Sequence, residues 1–398
     1  MTRFGDGLAA DADLLVAAAD AVGQALAPLD GRTPDLVCVF VSAIDPDDVT
    51  AVAERVAGLT GAGTVIGCSA GGVIGAGRGL EHTEAVSVWA AVLPGAHIRS
   101  FHLEVMRVDD GLAVVGLPER HPDDSACVLL ADPFSFPVDT FVEGINEKMP
   151  GLPIVGGVAG GVHGSGSTRL ILGGRTVDRG AVGIFLGGTV GARPVVSQGC
   201  RPIGPTMVVT AADRNVLLEL AGVPAMTRLD QIIRSLPPED QALASAGLQI
   251  GVAMDEYADE HQSGDFLIRA VLGFVPDQAG VAVGDVIEVG RTVAFQVRDA
   301  QAADADLRER LTAFRVSSGL DDVDGALLFS CNGRGEHLFT SADHDVLALR
   351  EHLSTTPVAG FFAGGEIGPV GGRNHLHGFT ASILAFGSGS LPERGQAG

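Results

Sequence analysis

Two stretches of this chain carry residues whose types and spacing suit chemistry. Gly67-Cys68-Ser69-Ala70-Gly71 matches the Gly-x-Ser-x-Gly pattern that presents a nucleophilic serine on a sharp turn after a strand, with Cys68 beside it as a second nucleophile. Such a serine must open a helix, yet Gly71-Gly72-Val73-Ile74-Gly75-Ala76-Gly77 is too rich in glycine to form one. Toward the C-terminus, Ser330-Cys331-Asn332-Gly333-Arg334-Gly335 follows an apolar run, and Glu366 and Arg373-Asn374-His375-Leu376-His377 surround a later glycine loop. If both loops leave one edge of a sheet, Arg334 and Arg373, the Glu366 carboxylate and the Asn332 and Asn374 amides come together. Arginine suits a ligand carboxylate and glutamate an ammonium, so the set fits a small zwitterion. The same residues also make sense without a ligand, as an Arg334–Glu366 ion pair that anchors loops.

Other candidates carry less. His375 and His377 alternate, which in a strand places them on one face, but a metal needs further ligands that the sequence does not supply, so none is expected. Arg298 alternates with Gln296 and can line a cavity, while Asp299 suits the cap of the next helix. Arg269, inside the apolar run 266–272, is either exposed at an edge or buried with a partner. Gly75-Ala76-Gly77-Arg78-Gly79-Leu80 holds only fragments of a dinucleotide fingerprint. Lys148 is the single lysine, which excludes a phosphate-binding P-loop, and no cofactor is expected.

The elements that must position these residues form a repeat. Gly-x-x-Ala-Gly-Gly-x-x-Gly occurs at 67–75, 156–164 and 360–368, each time after a short apolar run. Upstream lies a strand-like run (36–41, 126–130, 326–329), then a helical segment (47–59, 138–148, 343–353); downstream lies another strand (85–93, 181–186, 379–386). The expected fold is therefore α/β, with repeated strand-helix-strand-loop-strand units forming layered mixed sheets. Residues 1–33 read as a lead containing a helix over 10–26, 214–220 reads as helical, and 207–274 as a degenerate fourth unit. Prolines and glycines over 197–205 place a boundary between two tandem domains, 1–198 and 199–388, with 389–398 a disordered tail.

Composition narrows the partners. A net charge of −23 argues against nucleic acid and anionic membranes, which need clustered Lys and Arg. No apolar run approaches the roughly 20 residues of a membrane helix, and five single cysteines fit reduced thiols, so a cytoplasmic location is expected.

Taken together, the motifs resemble the FIST proteins, a sensory family with N-terminal and C-terminal FIST domains. The resemblance rests on 64–75 and 85–89 in the first half, and on 329–335, 360–369 and 377–380 in the second. It implies an intracellular small-ligand sensor, with amino acids or their derivatives as ligands and without catalysis. Relatives carry fused output domains; here no residues remain for one, so signalling would pass through a separate protein. The site expected on this reading comprises Asn332, Arg334, Glu366, Arg373, Asn374 and Ser69. The alternative is a hydrolase or transferase using Ser69 or Cys68.

Overall fold

The computed structural model describes the chain except residues 110, 161–163, 257, 259–260, 262–263, 321, 354–356 and 389–398, so the expected tail lies outside the described residues. Contacts divide the chain into two compact units. The first comprises Met1–Val196, Arg308–Leu376 and the chain from Ala381; the second comprises Ser197–Leu307 with His377–Thr380.

The first unit opens with β1 (Arg3–Ala9), α1 (Leu14–Leu26), β2 (Leu36–Ser42), α2 (Pro46–Thr60) and β3 (Thr64–Ser69). A hairpin of β4 (Gly72–Gly75) and β5 (Arg78–Glu81) leads to β6 (Ala85–Val92). Next come β7 (Ala96–Val108), β8 (Gly111–Val115), β9 (Ala126–Ala131), α3 (Val138–Lys148) and β10 (Ile154–Val158). The pair β11 (Leu170–Leu172) and β12 (Arg175–Val177) precedes β13 (Ala181–Gly188) and β14 (Gly191–Gln198). The chain then forms β15 (Cys200–Pro202), β16 (Met207–Asp213), β17 (Val216–Leu220), β18 (Val223–Pro224), α4 (Ala225–Ser235) and α5 (Pro238–Ala246). The strands β19 (Leu248–Ala253), β20 (Phe266–Val275), β21 (Gly280–Val283) and β22 (Thr292–Arg298) come next, and then α6 (Ala300–Ser317). The last stretch holds β23 (Asp322–Cys331), α7 (Gly335–Phe339), α8 (His344–Leu353), β24 (Val358–Ala363), β25 (Glu366–Val370), β26 (Arg373–His377) and β27 (Thr380–Ser388).

Three sheets of the first unit share one plan. β2 and β3 are parallel, α2 crosses between them, and β6 runs antiparallel on the other side of β2. The trios β9, β10, β13 and β23, β24, β27 pair in the same way. Each sheet is then extended by a hairpin from a different trio: β11–β12 joins β3, β25–β26 joins β10, and β4–β5 joins β24. The three exchanges close a ring.

The glycine motif acquires a physical reason here. Its first glycine sits in the second parallel strand, against a carbonyl of the first. A Cβ at Gly67, Gly156 or Gly360 would stand 1.8, 1.9 or 1.6 Å from the oxygens of Val39, Leu129 and Leu328, a contact no side chain tolerates.

One face of each sheet meets a common core: Phe40, Trp89, Val128, Ile184, Phe329 and Phe361 belong to it. The opposite faces take the helices, with Val37, Val39 and Val41 under α1 and α2, and Leu129 and Ala131 under α3. Alternation along fully buried strands thus feeds two different cores. The helices are locally well specified. Asp45 caps α2 by accepting the Asp47 N–H at 2.9 Å, Pro46 occupies the first turn with Asp47 and Asp48, and Gly61 closes it at φ 58°.

Residues 1–33 hold a strand, β1, that the expected helical lead omits. β1 pairs along its whole length with β6, and its glycines admit α1: a Cβ at Gly5 or Gly7 would come 2.0 Å from the Ala25 or Ala21 oxygen. The segment 214–220, expected as helix, is instead β17, hairpin-paired to β16. The second unit contains no parallel pairing among its described strands, so 207–274 does not adopt the strand-helix-strand plan. Its core gathers Val209, Leu217, Leu229, Ile250, Phe295 and Val297.

Candidate functional site

The C-terminal ends of β23 and β24 are where the sequence places the site. Ser330, near the end of β23, donates its hydroxyl to Asp345 Oδ2 at 2.7 Å. Arg334, between β23 and α7, forms two bonds to the same carboxylate, Nε to Oδ2 at 2.8 Å and Nη2 to Oδ1 at 2.9 Å. Its guanidinium carbon lies 5.1 Å from the centroid of Phe339, which stacks on His344 at 3.5 Å, and His344 Nδ1 is 2.9 Å from Asp345 Oδ1. Arg334 is wholly buried and Asp345 nearly so. Burial by itself raises the pKa of Asp345, but the Arg334 charge and the bonds from His344, Arg334 and Ser330 prevail, holding it well below the usual carboxylate range. Burial likewise opposes the charge on Arg334, and Asp345, with smaller help from Cys331 and Glu366, raises its pKa instead.

Glu366, fully buried, opens β25 opposite Gly157 of β10. Arg334 and Glu366 are therefore close enough to interact, while Asn332 beside them is exposed. Asp345 is the residue that sequence reasoning did not assign to this cluster. It lies in the first turn of α8, and its partner, eleven residues back, becomes visible only when β23 and α8 pack.

Arg373 and Asn374 stand elsewhere, beyond the Gly371–Gly372 turn at the far end of the β25–β26 hairpin, about 13 Å along the strand from Glu366. Arg373 is exposed. Asn374 is buried and spent on the α3–β10 corner. Its Oδ1 accepts the Ile154 N–H at 2.7 Å, and its Nδ2 donates to Leu152 O at 2.9 Å and Asn146 Oδ1 at 3.1 Å. Asn146 returns a bond to the Asn374 carbonyl at 2.8 Å.

Ser69 ends β3 and is buried; its hydroxyl accepts the Arg169 N–H at 3.1 Å, and its own N–H donates to the Arg169 carbonyl at 2.8 Å. After Ser69 the chain passes through Ala70-Gly71 into strand β4, not into the helix of a nucleophile elbow. Cys68 is buried, and burial pushes its thiol well above the ordinary range, away from the thiolate a nucleophile requires. Arg269 finds its partner in Asp285, Nε to Oδ2 at 2.7 Å, and Asp299 caps α6 by accepting the Gln301 and Ala302 N–H groups at 2.9 and 3.0 Å. Among the described residues, no three His, Cys, Asp or Glu side chains are grouped to hold a metal, and no helix is long and apolar enough to cross a membrane.

Three mixed sheets with helical crossovers, one of them with a buried ion pair at its strand ends, and an all-antiparallel second sheet system define a mixed α/β protein of two parts. Residues 35–223 match the FIST N domain and 225–369 the FIST C domain. The chain is 42% identical to the uncharacterized protein Rv0628c of Mycobacterium tuberculosis over 96% of this chain and 99% of that one. It is 41% identical to the uncharacterized protein Mb0898c of Mycobacterium bovis over 96% and 98%. The chain belongs to the FIST family, whose domains are generally sensory, signal-transduction domains.

Proposed function

We propose that this chain is a cytoplasmic sensor that binds a small ligand, an amino acid or a derivative, and passes the signal to a separate protein. The observation that carries this reading is the tandem FIST N and FIST C match across 35–369. In support of it, the Glu366 charge acts on Arg334, and Asn332 in the same loop as Arg334 is exposed. In this reading Arg334 and Asn374 hold the loops through their own partners. Asn332 is the member a solute touches first and Glu366 supplies the carboxylate, while Arg373 stands apart at the far end of its hairpin and Ser69 borders the equivalent loop of the first trio. A division of the chain near residue 198 into two sensory modules stays part of the proposal. Thermal unfolding of the full chain against free amino acids and their amides tests it. A ligand that binds only the folded state raises Tm progressively with its concentration, by about 2.7 kcal/mol of stabilisation at a hundred times Kd. A panel in which no compound raises Tm would sink the sensory reading.

A second reading, hydrolysis or acyl transfer at Ser69 or Cys68, keeps only the Gly-x-Ser-x-Gly spacing in its favour. The described hydrogen-bond partners of Ser69 are backbone groups of Arg169, not a base.

A further inference from the structure

The second unit buries polar groups that its own residues do not satisfy. Along β22, Val293, Phe295 and Val297 point into the core, so Ala294, Gln296 and Arg298 share the opposite face. Along β19, Ile250 and Val252 point inward, and Gln249, Gly251 and Ala253 share that same opposite face. Gln249 and Gln296 are direct partners across the two strands. Gln296 is completely buried and Gln249 and Gln198 are 5% exposed. Among the described residues, neither Gln296 Oε1 nor Gln296 Nε2 has a hydrogen-bond partner, and Gln249 Oε1 and Gln198 Oε1 have none either.

These amides lie close together. A Cβ on Gly251 would meet Gln296 Nε2 at 2.2 Å and the Phe266 Cβ at 2.9 Å, so the Gln296 amide and Phe266 both sit over this glycine. Gln198 Nε2 donates to the Phe266 carbonyl at 2.9 Å and to Gly264 O at 3.3 Å, which fixes its orientation and leaves Oε1 turned the other way. Apolar Phe266, Ile268 and Ala294 share the face. At its half-buried side the Arg298 guanidinium lies 5.2 Å from the ring centroid of Phe379, a bulky residue held at φ 62° in the left-handed region that such residues avoid.

Leaving amide groups buried without partners is costly, and native proteins keep few of them. Over these three side chains, three carbonyl oxygens and one NH2 group lack partners among the described residues, so a group that completes the set must bring more donors than acceptors. We infer that this amide-lined face of β19 and β22 is a binding site for a small ligand that presents a primary ammonium or carboxamide on a short apolar body. The inference deepens the sensory reading and rests on it, and it names a ligand site within the second unit that is distinct from the Asn332, Arg334 and Glu366 set. Gln296 and Gln249 meet the nitrogen, Phe266 and Ile268 the hydrocarbon, and Arg298 with Phe379 lies at the less buried end of the face.

The test uses the full chain and three unbranched five-carbon compounds with different heads: pentylammonium, pentanamide and valerate, read by thermal shift and calorimetry at pH 7. Pentylammonium and pentanamide should raise Tm, and valerate, which brings acceptors only, should not. Gln296→Leu should raise the Tm of the free protein, because an unsatisfied amide is exchanged for an apolar side chain, and should weaken both positive ligands at least tenfold. Gly251→Ala, which pushes the Gln296 amide aside without removing it, should weaken them too, and it serves if the leucine variant fails to fold. The proposal falls if valerate binds as well as pentanamide, if none of the three binds, or if Gln296→Leu or Gly251→Ala leaves affinity unchanged. It falls as well if Gln296→Leu lowers Tm, the result expected when ordered water completes these amides as part of the fold. Amino acids that stabilise wild type and Gln296→Leu equally would remove this site while leaving the sensory reading intact.

Discussion

The chain contains two buried polar clusters built on opposite principles. At the β23–β24 strand ends, Asp345 receives Arg334 twice and Ser330 once, with His344 alongside, so both of its oxygens are met. On the outer face of β19–β22, three glutamines present four polar atoms that no described residue meets. The contrast separates two uses of buried polarity. A saturated cluster holds a loop in place and has little left to offer a solute, whereas an unsaturated one stores an unfavourable free energy that a ligand can relieve. Arg334, which the sequence marks as a ligand group, belongs by geometry to the saturated kind.

The sharpest way to break this comparison is Arg334→Ala. It leaves Asp345 buried without its counter-charge and should cost about 3–5 kcal/mol of unfolding free energy, measured by urea denaturation. A double change to Arg334→Met with Asp345→Leu should cost far less, because both charges leave together. A loss below about 1 kcal/mol for Arg334→Ala would return the residue to the ligand-binding class.

The same cluster fixes a pH response. The folded-state pKa of Asp345 lies below the reference 3.8, so unfolding takes up a proton as the medium turns acid. Its contribution is complete above the unfolded value and is lost as pH falls from about 4 through the lower folded value. Denaturation curves between pH 7 and 2 should show a decline that Asp345→Asn flattens. An unchanged slope in that variant would contradict the assignment.

Smaller effects mark the clasp and the loops. Asn374→Ala strips the partners from Ile154 N–H and Leu152 O and should cost about 1–3 kcal/mol, with no change in ligand-induced Tm shift if Asn374 only holds its corner. Ser69→Ala removes one acceptor from the Arg169 N–H, a loss of about 1 kcal/mol, and wild type should take no label from a fluorophosphonate probe. Labelling that disappears in Ser69→Ala would revive the hydrolase reading. Arg373→Ala, at an exposed position, should stay within about 0.5 kcal/mol of wild type.

Much of the first unit was legible in the sequence because local signals and tertiary roles coincide there. Val37, Val39 and Val41 read as strand and are strand; Asp45-Pro46 and Gly61 punctuate α2 as capping chemistry requires; α3 runs over 138–148 as its spacing indicates. The Gly-x-x-Ala-Gly-Gly-x-x-Gly spacing was visible too, since the close contact of Gly67, Gly156 and Gly360 with the neighbouring strand leaves no choice of residue. Other elements carry no such local mark. Arg3-Phe4-Gly5-Asp6-Gly7 has none of the branched residues of a strand, because its glycines answer to the backbone of α1 rather than to strand propensity. Which hairpin joins which sheet also escapes the sequence, for an exchanged hairpin and a retained one present the same residues.

The candidate site divides along the same line. The sequence could place Arg334 and Glu366 together only on condition that both loops leave one edge of a sheet, as a strand-helix-strand crossover allows. Only the packing of α8 on β23 set Asp345 against the Arg334 guanidinium. Only the pairing of β19 with β22 set Gln249 beside Gln296 and turned two glutamines distant in sequence into one buried face. The alternation of Gln296 with Arg298 could be read from the chain. That Gln296 is wholly buried there, with its amide short of hydrogen-bond partners among the described residues, is a property of strands distant in sequence and arises from the tertiary structure alone.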